Sequence, residues 1–327
     1  MGTMILKAAI LLAVFQAAMC DDTSNKNAGS SSHVAPDPNT FFPAAKDNLT
    51  KIVWAHAVND QKKLNEALAK EYIMMLEADV VVGKLNGTTD LIPIMAHPPH
   101  NVSDLSLENF LDTIIRGQYK NKGIKLDFKT TEAFNLSKPI LEKLRKSLTF
   151  PVFLNADIIP GPVNATNITV NAEEFLKGAN KTLPESILSV GWTTRYGKEF
   201  NLTKGQYNET HIQKMIKALK ENHVSQSVTY PVRAGLVVNN VDIIKKLLRE
   251  APKTIKSATL TIWSADNDEV DAAKLSKFIK EVGVEKVYVD VPEDLHKKLK
   301  LSAASAMNSA IINMGFSMAL LVLLRML

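Results

Sequence analysis

The chain has 327 residues, is 46% hydrophobic and 22% charged, and carries a formal net charge of +5. That is the composition of one large globular domain or two smaller ones, and a charge this modest, with acids and bases interspersed, leaves no electrostatic footprint for nucleic acid. A lone cysteine, Cys20, excludes an internal disulfide, so the core must carry the stability by itself.

Taken in order, the chain opens on Lys7, an apolar run from Ala8 to Ala18, and the small residues of a cleavage site at Ala18-Met19-Cys20. Residues 1–20 therefore read as a secretory signal peptide. Residues 21–47, with Ser30-Ser31-Ser32 and several Asn and Pro, are expected to form a disordered leader. Asn-x-Ser/Thr sequons begin at Asn48, Asn86, Asn101, Asn135, Asn164, Asn167, Asn180, Asn201 and Asn208. Chance would give roughly a third as many, so the set points to a glycosylated, secreted surface.

From residue 48 to 300, apolar strand-like runs alternate with amphipathic helix patterns. Strands are predicted at 52–57, 72–82, 123–128, 150–156, 187–193, 227–238, 258–263 and 286–291. Between them, a helix is predicted from Ser103 with Leu107, Phe110, Leu111 and Ile114 on one face, stopping near Gly117. Pro139 suits the first turn of the next helix. Asn171 with Glu174 resembles a capping pair, and Ile212, Met215, Ile216 and Leu219 form a further stripe. Later helices are predicted at 242–248 and at 266–282, the second ending at Gly283. Eight strand–helix units in this length predict a single-domain α/β fold, a (β/α)₈ TIM barrel. A doubly wound sheet is the alternative, but no Gly-rich phosphate loop follows the first strand.

The tail, 301–327, is apolar beyond Ala310 apart from Asn313, Ser317 and Arg325. Its apolar run of about fifteen residues is short of the roughly twenty a spanning helix needs. The small cluster Ser302-Ala303-Ala304-Ser305 upstream suits a GPI-attachment signal, with a single C-terminal membrane segment as the alternative. The expected location is the secretory pathway and the extracellular face of the plasma membrane, or secretion.

A barrel places chemistry at the C-terminal ends of its strands. There the sequence puts His56 and Asn59, then Glu77 and Asp79, Asp127 and Lys129, and Asn155 and Asp157. Trp192, Arg195, Tyr230, Arg233 and Trp263 follow at the later strand ends, and His97 lies in the proline-stiffened loop after strand two. Glu77 and Asp79, two apart in an apolar strand, leave the same face, where two ionised carboxylates are costly without a cation. Glu77, Asp79 and Asp127 form a hard oxygen donor set that suits Mg²⁺ or Ca²⁺, and a phosphodiester is the natural ligand for such a cation beside Lys129. His56 and His97 could then serve as nucleophile or base and as general acid. Zinc through the two histidines is a weaker alternative, and singly each residue has a plain structural explanation, Lys129 simply pairing with Asp127 or Asp157.

The stretches Ile52-Val53-Trp54-Ala55-His56-Ala57-Val58-Asn59, Leu76-Glu77-Ala78-Asp79-Val80, Gly123-Ile124-Lys125-Leu126-Asp127-Phe128-Lys129, Leu154-Asn155-Ala156-Asp157-Ile158 and Gly191-Trp192-Thr193-Thr194 resemble the menorin family. At greater distance the chain is similar to the glycerophosphodiester phosphodiesterase and sphingomyelinase D barrels. That resemblance implies metal ligation by Glu77, Asp79 and Asp127, with His56 and His97 as the catalytic pair. The chain departs from the phosphodiesterase pattern in reading His-Ala-Val-Asn where those enzymes have His-Arg-Gly, and in placing Pro98 after the second histidine. Two functions are expected. One is a metal-dependent, phospholipase D-like phosphodiesterase acting on a lipid head group, and the other a non-catalytic cell-surface module that binds an extracellular protein partner, the role the menorin resemblance implies.

Overall fold

The apolar, β-branched runs form strands of one sheet, and the amphipathic stretches between them pack as helices against it. A computed structural model describes residues 36–301. The expected signal peptide, the leader up to residue 35 and the tail from residue 302 lie outside the described residues.

In chain order the elements are β1 (Trp54–Ala55), α1 (Gln61–Ala69), β2 (Met75–Leu85), β3 (Leu91–Met95), β4 (Val102–Ser103), α2 (Leu107–Gly117) and β5 (Gly123–Phe128). Then come α3 (Thr131–Leu144), β6 (Val152–Pro160), α4 (Ala172–Thr182), β7 (Ile187–Thr193), α5 (Glu209–Glu221) and β8 (Val228–Arg233). The series ends with α6 (Val241–Glu250), β9 (Ala258–Trp263), α7 (Ala272–Val282), β10 (Val287–Asp290) and α8 (Glu293–Lys298). Hydrogen-bonded neighbours run β1-β2-β5-β6-β7-β8-β9-β10, every pair parallel, while β3 and β4 attach to the outer end of β2. This is the predicted (β/α)₈ barrel, nearly closed. No ladder joins β10 to β1 among the described residues. Side chains bridge that seam instead: the Trp54 and Tyr288 rings meet edge to face at 6.1 Å, and His56 meets Asp290 one step further up.

Three predicted strands, 123–128, 187–193 and 258–263, fall on the observed boundaries. The others shift. The first strand shortens to two residues, because Leu49–Lys51 folds as a helical turn before it and Ala57 turns out with φ of 53° after it. The predicted strand 227–238 ends at Arg233 and passes into a helical turn, Ala234–Val237. The helix expected from Ser103 starts at Leu107, where the Ser106 hydroxyl accepts from the Asn109 amide. Pro139 is not in a first turn. It sits inside α3, which starts eight residues earlier behind Thr130, whose hydroxyl accepts from the Ala133 amide. The Asn171 cap holds as expected, its side chain accepting from the Glu174 amide.

The leader expectation needs correction over residues 36–47. Pro38–Phe41 and Pro43–Ala45 form helical turns, and Phe42, Ala45, Leu49 and Ile52 pack with Met75, Phe153 and Tyr288. Met75, Phe153 and Tyr288 are the lowest inward-facing residues of β2, β6 and β10, so this segment seals the floor of the barrel with apolar side chains. Burying that surface supplies a hydrophobic gain that a disordered leader would forgo. The charged side chains inside the barrel lie above this floor, toward its opposite, C-terminal mouth. Among the described residues no helix is long and apolar enough to cross a membrane.

Candidate active site at the barrel mouth

Successive inward residues on a strand are two apart, and the charged groups of the mouth follow that rule. On β2 they are Glu77 and Asp79, both buried; on β5, Lys125 and Asp127, with Lys129 just beyond; on β6, Asn155 and Asp157. Parallel pairing sets Glu77 beside Lys125, and Asp79 beside Asp127, which stands beside Asn155. One oxygen each from Glu77, Asp79 and Asp127 lies within 4.8 Å of the others.

Each carboxylate has named partners. The Ala57 amide donates to Glu77 Oε2 at 2.8 Å, which explains the turn after β1. Asn59 clasps Asp79 from both sides: its Nδ2 donates to Oδ2 at 2.6 Å and its Oδ1 accepts from the Asp79 amide at 2.8 Å. Asn155 donates to Asp127 Oδ1 at 2.6 Å and is itself oriented by the Ser189 hydroxyl at 2.5 Å. Lys129 Nζ lies 2.6 Å from Asp79 Oδ1 and also donates to Asp127 Oδ2. His56 Nδ1 lies 3.2 Å from Asp290 Oδ1 and 3.5 Å from Glu77 Oε2. Lys125, buried in the barrel over the Trp54 ring at 5.7 Å, reaches Asp290 at 3.6 Å.

The resulting electrostatics are uneven. Asp290 chiefly, with Glu77 adding, pushes the His56 imidazole up to about 10 against the effect of its burial. Burial pushes Glu77 up to about 7, helped by Asp79 and Asp127. Burial, then Asp127, pushes Asp157 up to about 7 as well. Burial also works against the charge on Asp127, yet Lys129 and Lys125 hold its carboxyl below the ordinary value. Fully ionised, Glu77, Asp79, Asp127, Asp157 and Asp290 outweigh Lys125, Lys129 and protonated His56 by two charges. The two carboxyls pushed toward neutrality, Glu77 and Asp157, account for that surplus. The donor chemistry fits one hard divalent cation: three carboxylates converge, and all their donor atoms are oxygen.

The other predicted site residues are placed differently. His97 is exposed, with Nδ1 2.7 Å from the Pro98 carbonyl oxygen, and is not brought to the carboxylates; with Asn59, Lys63 and His100 it lines a neighbouring cavity of about 460 Å³. A zinc site spanning His56 and His97 is therefore not formed. Trp192 and Tyr230 face the helices, not the mouth. Both are buried, and the Trp192 indole N–H donates to the His211 carbonyl of α5 at 3.1 Å. Arg195 is exposed and stacks near Phe200. Arg233 faces inward but is spent on Asp268, which it grips with two donors at 2.7 and 2.8 Å; it also donates to Thr194 and lies 4.9 Å over the Trp263 ring. That grip ties together the loops after β7, β8 and β9. Of the sequons, Asn86, Asn101, Asn164, Asn167, Asn180, Asn201 and Asn208 are exposed, Asn48 is half-buried, and Asn135 is half-buried within α3.

Lys125 and Asp290 were missed. Lys125 sits in the same inward register as Asp127 and Lys129, so the alternation that selects those two selects it as well. Asp290 ends the last strand, where the strand-end rule applies equally.

Fold and mouth together define a (β/α)₈ barrel protein with an acidic, lysine-buttressed site at the C-terminal ends of its first strands. The sequence profile of the Menorin N-terminal domain matches residues 48–296. Human protein FAM151B is 34% identical over 260 residues, covering 79% of this chain and 88% of that protein. The chain belongs to the menorin family. Among solved structures it is similar to a candidate glycerophosphoryl diester phosphodiesterase from Silicibacter pomeroyi DSS-3, with TM-score 0.42 and 10% identity over 76% of this chain and 92% of that one. A candidate alpha-L-fucosidase from Bacteroides thetaiotaomicron VPI-5482 gives TM-score 0.46 and 12% identity over 75% and 88%.

Proposed function

We propose that this menorin-family protein is an extracellular, membrane-anchored phosphodiesterase-like protein that holds Mg²⁺ or Ca²⁺ at Glu77, Asp79 and Asp127 and acts on a phosphodiester lipid head group. The observation that carries this reading is the convergence of those three carboxylates, two of them buried, beside Lys125 and Lys129. Bound there, a divalent cation would neutralise charge on phosphoryl oxygens. Lys129 would add a second positive charge on the same ligand. His56, held through Nδ1 by Asp290, keeps Nε2 without a protein partner among the described residues and half-open to solvent, positioned to exchange a proton with a reacting oxygen. Turnover of lyso- and diacyl-phosphodiester lipids by the full-length chain, with and without Mg²⁺, tests the reading. Loss of turnover in His56→Ala and Glu77→Gln is expected; no turnover by the unaltered protein on any of them would overturn it.

The second reading is a surface module that uses the barrel mouth to bind an extracellular protein partner without turnover. Two observations favour it. His97 stands away from the carboxylates, and Lys129 already lies between Asp79 and Asp127, where a cation would sit. Specific capture of one receptor by the glycosylated protein, unaffected by His56→Ala, would support it over catalysis.

A further inference from the structure

A groove of about 660 Å³ lies between α7 and the segment that follows α8, on the flank of the barrel. Ala273, Ser276, Lys277 and Lys280 recur every three or four residues along α7, so they share one face of that helix. The small side chains of Ala273 and Ser276 leave the space, and the two lysines line it. Across from them runs the terminal segment. The Ser276 hydroxyl donates to the Ala272 carbonyl at 2.6 Å and accepts from the Lys300 amide at 3.0 Å, which pins that segment across the helix. Leu299 and Leu301 pack against the core and leave Lys298 and Lys300 exposed along the groove.

Neighbouring lysines are answered by acids: Lys297 pairs with Glu293 at 2.6 Å, and Lys245 with Glu281 at 2.7 Å. The groove lysines are not. Glu281, the one acid that lines the groove among the described residues, is taken by Lys245 and stands 3.9 Å from Lys277. Among the described residues Lys280, Lys298 and Lys300 meet no acid at all. Four exposed cations around one occupied acid make a surface for an anionic partner.

What adjoins the groove selects that partner. The backbone leaves it at Leu301 and can span at most about 14 Å to Ser305 and about 32 Å to Ala310, where the apolar run begins. No sequon begins beyond Asn208, so neither wall of the groove carries an N-linked acceptor.

We infer that the groove is a membrane-docking surface, in which Lys277, Lys280, Lys298 and Lys300 engage the phosphates of anionic lipids in the bilayer that holds the tail. The inference goes beyond the phosphodiesterase reading and takes from it only the membrane anchor. Once the tail is held, the lysines meet lipid phosphates at high effective concentration, and contacts that are weak one by one add up. A soluble polyanion gains nothing from that tether. Because α7 belongs to the outer ring of helices, seating this face on the bilayer lays the barrel on its side and opens its mouth along the surface.

The test is sedimentation of the full-length chain with vesicles of phosphatidylcholine alone, or with about 30% phosphatidylglycerol added. At about 0.1 M salt the unaltered protein is expected to partition about tenfold more strongly onto the anionic vesicles, and to lose that preference at about 1 M salt. Replacing Lys277, Lys280, Lys298 and Lys300 together by Gln should abolish the preference and leave binding to neutral vesicles, which reads the tail alone, unchanged. Replacing the exposed Lys146, Lys177, Lys214 and Lys220 by Gln removes the same charge and should preserve it. Equal partition of the unaltered protein onto both vesicles overturns the docking surface alone. A preference that survives the first variant, or that the second also loses, overturns the assignment to these lysines. Retention on heparin that the first variant abolishes, without any vesicle preference, makes the partner a sulfated polysaccharide and overturns the membrane. Absent binding to neutral vesicles with the preference intact overturns the anchor and supports the groove.

Discussion

His56 and Asp290 lie 234 residues apart and meet at 3.2 Å across the only strand boundary of the barrel that lacks a ladder among the described residues. The contact does two things at once. It bridges β1 to β10, and it fixes the imidazole that faces the mouth. Because Asp290 raises His56 to about 10 from an ordinary 6.5, the folded state binds this proton more tightly than the unfolded chain does. The stabilisation is complete below about pH 6.5 and is lost as pH rises through 10. Asp290→Asn is expected to bring the His56 midpoint down toward 6.5 and to flatten the alkaline loss of thermal stability. At neutral pH it also leaves Lys125 buried and unpaired, at a cost of about 3 kcal/mol. Imidazole NMR titration and urea melts read the two effects separately.

Glu77 gives the same sign in a lower pH window. Its carboxyl sits at about 7, above the ordinary 4.5, so its contribution to stability is present at low pH and disappears as pH rises through 7. A cation that needs this carboxylate ionised must displace the proton. Mg²⁺ is therefore expected to raise the melting temperature more at pH 8 than at pH 6, with apparent affinity about tenfold weaker at the lower pH. Glu77→Gln removes that pH dependence. Melting curves that ignore Mg²⁺ at every pH would eliminate the cation site.

The floor of the barrel is a separate matter of packing. Phe42 is 1% exposed and closes on Met75, Phe153 and Tyr288. Phe42→Ala should cost about 3 kcal/mol or more in urea denaturation, the usual price of an emptied aromatic site. A chain started at residue 48 should lose at least as much. If residues 36–47 were a mere leader, both would melt like the intact protein.

Glycan occupancy should be uneven. Asn135 is half-buried within α3, its Nδ2 donates to Glu174 Oε2 at 2.9 Å, and the hydroxyl-bearing Ser137 of its sequon is fully buried. Glycopeptide mass spectrometry of protein from a secretory host is expected to find Asn135 bare while Asn86, Asn101 and Asn180 carry glycans. A modified Asn135 would mean that α3 docks only after glycosylation.

The strands that matched are short stretches of largely buried residues, and in β5 the two charged residues, Lys125 and Asp127, share one face, so the alternation stays legible. β3 was illegible for a physical reason. Pro93 argues against a strand, and it is tolerated here because β3 forms a ladder with β2 alone, its other edge carrying an isolated bridge from Ile94 to Ser106 that does not use Pro93. Within the site, alternation by two located Glu77, Asp79, Asp127, Lys129, Asn155 and Asp157. Trp192 and Tyr230 were selected for nearness to strand ends, and their parity sends them outward; their inward neighbours are the chemically silent Gly191 and Pro231. The pairing of His56 with Asp290 had no local signature at all, because it depends on how the sheet curls back on itself.

That curl has a consequence for assembly. Bringing together two positions so far apart in the chain is entropically the hardest closure in the molecule, so the imidazole acquires its partner only after every intervening strand is in place. A nascent, nicked or truncated chain missing either end strand lacks the clasped histidine. The chemistry of the mouth is thereby made conditional on an intact barrel.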